Sequence, residues 1–208
     1  MTQFNRLWSQ EKIMEQFFQL SAALRTDPKT APLAPQADDV LAALEALAGE
    51  QKLTRREQIN AQCQVNAADR RLDIALSMLS GAARIAERSD PSLRVVAVLF
   101  PEGLSGITRF SGRGVETEVA LARRLLAVLP GLPGAELLQD AASRVGTAAD
   151  EADGFLAQLK DLDARMDQLR SRQDELTSRA YTAFHSIRAD LVKIFNNNQG
   201  YISSFFLI

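Results

Sequence analysis

The run from Phe155 to Ala180 constrains the fold of this chain more than any other feature. Phe155, Leu159, Leu162, Met166, Leu169, Gln173, Leu176 and Ala180 alternate by steps of four and three. That is a heptad seam held over more than three repeats. Phe184, Ile187, Leu191 and Ile194 continue it after an extra four-residue step, a stutter that locally unwinds a supercoil. The opposite face carries Lys160, Asp161, Arg165, Asp167 and Arg172. The pattern predicts one helix over about 148–196, roughly 70 Å long at ~1.5 Å per residue. Such a rod cannot be buried all round. It needs a second long helix beside it, a partner chain, or both.

A second helical half precedes it. Residues 37–48 read as a short Ala/Leu helix with Asp38 and Asp39 at its positive end, and Gly49 is a natural stop. Thr54 with Glu57 forms a capping-box pattern, which predicts a further helix to about Arg88. The alternative is one rod with only a kink between the two. The apolar line of this half is Ile59, Cys63, Val65, Leu72, Leu76, Leu79 and Ala83. Its middle is thin, because Gln51, Arg55, Gln58, Gln62 and Asp69 occupy or adjoin seam positions. That part is therefore loosely packed, solvent-facing, or paired with polar groups elsewhere.

The expected class is all-α: an elongated helical bundle with long antiparallel, coiled-coil-like helices, read as a single domain over 1–208. Within it, 1–25 is an N-terminal amphipathic helix and 26–36 a Pro-rich linker, since prolines end a helix. Residues 37–89 are the first helical half, 90–114 an apolar reversal, 115–196 the second half and 197–208 an apolar tail. In the reversal, "SLRVVAVLFPEGLSGITRF" competes between a hairpin and a short helix. The Asp90-Pro91 start signal favours the helix, with Leu93, Val96, Ala97 and Phe100 on one stripe, stopping before Pro101.

Site chemistry is sparse. His185 is the single histidine of the 208 residues, so neither a helical di-iron site nor a zinc site can be assembled from paired histidines. Asp161, Asp163, Asp167, Asp174 and Glu175 are interspersed with Lys160, Arg165, Arg170 and Arg172, as on a solvated helix face. The "GRGVETE" run at 112–118 resembles an anion cradle at a helix start but lacks the P-loop ending. No catalytic, metal-binding or cofactor-binding residue is expected, no cofactor is expected, and the chain reads as non-enzymatic. The net charge of −2 leaves no basic footprint for nucleic acid. The lone Cys63 suits a reducing compartment. With no secretory signal and no apolar run long enough to span a bilayer, a cytoplasmic protein is expected.

Apolar residues not used by the heptads form the candidate interaction surface: Phe4, Trp8, Phe17 and Phe18 at the N-terminal end, Phe100 and Leu104 in the reversal, and Tyr201, Ile202, Phe205, Phe206, Leu207 and Ile208 in the tail. The expectation is a structural or protein-interaction protein that self-associates, or docks another helical protein, through the heptad seam and the tail. Membrane contact through 92–110 or the apolar ends is the alternative. A helical small-ligand binder or enzyme is the second alternative.

Overall fold

The computed structural model describes residues 4, 5, 8–101 and 114–206. Among these residues there are helices and turns and no strand, so the class is all-α. Among the described residues six α-helices are formed: α1 Gln10–Leu24, α2 Ala34–Ser89, α3 Val95–Leu99, α4 Val115–Val128, α5 Gln139–Ile194 and α6 Gln199–Ser203. Where the sequence reads as one domain, the contacts group the chain into two compact units, Met1–Arg55 with Ala164–Ile208, and Arg56–Asp163. Both α2 and α5 contribute to each unit.

Helix α2 is a single 56-residue helix. It begins at Ala34, inside the stretch expected to be linker, because Pro35 sits in the first turn, where its missing N–H costs nothing. Gly49 does not end it. Ala, Leu, Glu, Gln and Lys on either side carry the helix through, and the cost of one interior glycine is only ~1 kcal/mol. Thr54 is therefore no cap. It lies mid-helix and fully buried. Likewise α5 starts at Gln139, ahead of the expected start at about 148, and runs 56 residues through Gly146.

In the first unit, α1 starts on Ser9, whose side chain accepts from the Lys12 N–H. Its three-and-four spacing buries Ile13, Phe17, Leu20 and Leu24. The turn after it is closed by the buried Thr30, whose hydroxyl donates to the Leu24 carbonyl at 2.6 Å. The core joins these residues to Val40 and Leu44 of α2 and to Phe184, Ile187 and Leu191 of α5. Gln10 Nε2 donates to the Leu44 carbonyl at 3.0 Å. Asn196 and Asn197 take left-handed φ of 47° and 64°, a conformation asparagine tolerates, and so end α5. Asn198 then caps α6 by accepting from the Tyr201 N–H. The tail thus turns back as a short helix, placing Phe206 with its ring centroid 4.7 Å from that of Phe184.

In the second unit, the core faces of α2 and α5 are rich in alanine. Ala68, Ala75, Ala83 and Ala86 join Ala142, Ala148, Ala149 and Ala152 in one cluster with Leu72, Leu79, Val119, Leu125 and Val145. Gln58 pairs with Asp163 and, further along α2, Arg71 pairs with Glu151, so the two helices are antiparallel here. The reversal is helical over its described part, a 3-10 turn Pro91–Leu93 and then α3. Its buried residues are Val95, Leu99 and Phe100, while Leu93 and Val96 are half-buried and Ala97 is exposed. The left-handed Arg94, φ 48°, interrupts the helix expected from Pro91 and resets its phase. The remainder of the reversal, with Leu104, lies outside the described residues.

Three substitutions test this packing. Phe184 is completely buried, so Phe184→Ala should destabilise the first unit by about 3–5 kcal/mol in a denaturant titration. Gly134 has φ 78°, and a Cβ there would come within 3.0 Å of Leu93 Cδ1. Gly134→Ala should cost about 1–2 kcal/mol, the usual penalty for a side chain in the left-handed region, whereas Gly49→Ala, with open space around it, should be neutral or stabilising by up to ~1 kcal/mol.

Candidate interaction surface

The residues expected at the surface divide sharply. Phe4, Phe17, Ile202, Phe205 and Phe206 are buried in the first unit, and Phe100 in the second. Phe4 fills the space between Trp8, Tyr181 and Phe184, with ring centroids 5.2–5.8 Å away. Trp8 is half-buried. Phe18 and Tyr201 remain exposed, Phe18 at 66%. Leu207 and Ile208 lie outside the described residues. Along the heptad seam, Phe184, Ile187 and Leu191 are fully buried, Met166 and Leu169 are buried, and Phe155, Leu159, Leu162 and Leu176 are half-buried.

The thin polar stretch of the α2 line resolves into pairs. In the first unit Gln51 Nε2 donates to Gln173 Oε1 at 2.9 Å, and Arg172 meets Glu50 at 3.2 Å. In the second, Gln58 Nε2 donates to Asp163 Oδ1 at 2.6 Å. Gln51 and Gln58 are therefore satisfied side chain to side chain, whereas Asp69 Oδ1 has no hydrogen-bond partner among the described residues. Thr54 Oγ1 has no hydrogen-bond partner among the described residues.

The candidate chemical groups do not converge. His185 stands between the rings of Tyr181 and Phe184, at 4.4 and 5.6 Å. Among the described residues no three His, Cys, Asp or Glu side chains are placed to hold a metal. Gly112 and Arg113 of the anion-cradle run lie outside the described residues, and Glu118 of the same run is buried. Glu118 shares a hydrogen bond with Asp73 of α2, and Asp73 is raised above the ordinary aspartate range by burial first and by the nearby Asp69 second, with the Glu118 bond acting against both. On α4 and α5, Glu116 and Lys160 form an exposed pair at 2.6 Å that lowers the carboxyl and raises the amine. Such a pair adds little stability in water.

A surface not anticipated from the sequence lies on α2. Its core-facing residues in the second unit include Leu72, Leu79 and Ala86. Two residues further on, roughly 200° round the helix, Ile74 is 60% exposed; Ile85 is 67% exposed, and Ile59 and Met78 are also exposed. Ile74 and Met78 border a shallow groove of about 320 Å³ between α2 and α5, floored by Ala75 and Ala148. The signal was present in the sequence as a second periodic stripe in the same helix.

Among the described residues no helix is long and apolar enough to cross a membrane. The fold and its surfaces define an all-α protein of long paired helices with an apolar stripe on the outside of one of them. Compared with family models, curated proteins and solved structures, the chain has no significant match in any of the three.

The carboxyl cluster yields a pH prediction. Because it is held above the ordinary aspartate range, Asp73 ionises less readily folded than unfolded. Its contribution to stability is then lost as pH rises from about 4 through the folded value. Asp73→Asn should melt close to the parent at pH near 4 and a few degrees above it at pH 7, read by thermal scans of both chains across that range.

Proposed function

We propose that this is a non-enzymatic helical interaction protein that acts by docking another chain on the exposed faces of its long helices. The observation that carries this reading is the double-sided α2. One apolar stripe closes the core of the second unit, and a second stripe roughly 120° round the helix, Ile74, Met78 and Ile85, is exposed. Burying a single aliphatic side chain of this size contributes ~1.5–3 kcal/mol, so leaving several aligned on one face is a cost that a partner would recover. The same economy bears on self-association. Ile202, Phe205 and Phe206 are already buried in their own unit, so a second copy would have to meet other exposed apolar groups, among them Phe18, Tyr201, Leu53, Leu137 and the α2 stripe.

The reading is tested by site-specific photo-crosslinking in the cell that makes the protein. A photoreactive residue in place of Ile74 or Ile85 should give a discrete heavier adduct, and one in place of the exposed Gln158 on α5 should not. An adduct of twice the chain's mass would identify self-association. Absence of any discrete adduct from both α2 positions would reject the reading.

A further inference from the structure

The charges around the α2 stripe specify its partner. Between 56 and 89 the exposed charged residues of α2 are Arg56, Arg70, Arg71, Arg84 and Arg88, and the acids of that stretch, Glu57, Asp69, Asp73 and Glu87, are each half-buried. The exposed charges of this stretch are thus all arginine, set among the exposed Ile74, Met78 and Ile85 and uncharged polar residues such as Asn66 and Ser77, in a chain whose net charge is −2; Arg71 is paired with Glu151 of α5 across the groove. The stripe also has a register. Arg71, Met78 and Ile85 recur every seven residues, Ile74, Gly81 and Arg88 recur between them, and Arg70 and Arg84 stand one residue before the first series, at flanking heptad positions. Flanking charges of this kind select the partner helix by pairing with opposite charges on it. Arg70, Arg84 and Arg88 make no ion pair with another described residue. Gly81 has nothing within 4 Å of the place a Cβ would occupy, which opens room for a large partner side chain.

Resting on the docking reading above, we infer that the outer face of α2 over 70–88 receives an amphipathic helix of another protein, with an apolar seam flanked by Asp or Glu. The partner's apolar residues pack on Ile74, Met78 and Ile85 and into the groove floored by Ala75 and Ala148, and its carboxylates meet Arg70, Arg84 and the exposed Arg144 at the groove's far rim. Helix-in-groove docking uses this geometry. A second copy placing α2 on α2 would set the arginine rows against each other, a like-charge arrangement that costs affinity. An anionic bilayer satisfies the arginines, but it is flat on this scale and leaves the groove unfilled.

The test uses the full-length protein and two fluorescent three-heptad peptides with Leu at the a and d positions. One has Glu at both flanks, the other Lys, and like flanks keep each peptide from pairing with itself. The Glu-flanked peptide should bind, more weakly as salt is raised, and the Lys-flanked one should not. Ile74→Ser with Ile85→Ser should weaken binding at least about tenfold, the effect of losing ~1.4 kcal/mol. Arg70→Glu with Arg84→Glu should transfer the preference to the Lys-flanked peptide. All four positions are exposed, and unchanged thermal melts confirm that each variant is folded. The inference is overturned if neither peptide binds, if both bind alike, or if the reversal leaves the preference unchanged. It is also overturned if the protein floats with vesicles of roughly three parts phosphatidylcholine to one of phosphatidylserine while ignoring both peptides. A crosslinked adduct from Ile85 with no Glu-peptide binding rejects this partner chemistry alone; no adduct at all rejects the docking reading beneath it.

Discussion

Everything in this structure follows from the need of two 56-residue helices to bury one stripe each. Helices in water draw most of their stability from packing an apolar face rather than from propensity. The two units meet that need with different side chains. In the first, aromatic rings fill the space among α1, α2 and α5, and Phe4, Phe184 and Phe206 stack in series. In the second, alanines line the facing surfaces of α2 and α5, which lets backbones approach, since interhelical distance is set by side-chain size at the contact. Large residues are supplied there by α3 and α4 through Val95, Leu99, Phe100 and Leu125.

The long-helix plan was legible because heptad spacing survives any local ambiguity. Phe184, Ile187 and Leu191, placed on the seam by counting alone, are fully buried. The punctuation was less legible. Gly49 reads as a stop and Gly146 lies just before the expected start at about 148, yet both lie inside helices, because a stop needs a left-handed residue and a place for the chain to go, not merely a glycine. Asn196 and Asn197 meet that condition and do end α5. Thr54 with Glu57 has the letters of a capping box, but the helix around it was already formed from Ala34, so there was no terminus to cap. The Arg94 break was invisible to pattern reading, since arginine in a left-handed conformation has no periodic signature.

The candidate surface was hidden for a different reason. Counting apolar residues along α2 as one line merged Ile59 and Cys63 of the outer face with Leu72 and Leu79 of the inner one. The mixture looked like a thin seam. Separating the stripes by helical phase leaves a continuous core line and a second line with Ile74, Met78 and Ile85. The polar residues then also make sense, since Gln58 lies on the inner side and finds Asp163. The tail was the converse case. Its composition marked it as sticky, and its own unit uses that property, through Ile202, Phe205 and Phe206.

Whole-chain charge concealed the polarity of that outer line. A net −2 suggests no preference for any partner, but charge acts over about 10 Å at ordinary ionic strength, so a partner feels the local face and not the sum. On α2 between 56 and 89 the acids are half-buried and the arginines exposed, whereas nearer its start Asp39 and Glu45 are exposed. Near-neutrality overall therefore hides a local arginine excess on this stretch of α2. A helix with that distribution discriminates by repulsion as much as by attraction: its apolar stripe would accept any hydrophobic seam, and the arginines beside it reject those with basic flanks.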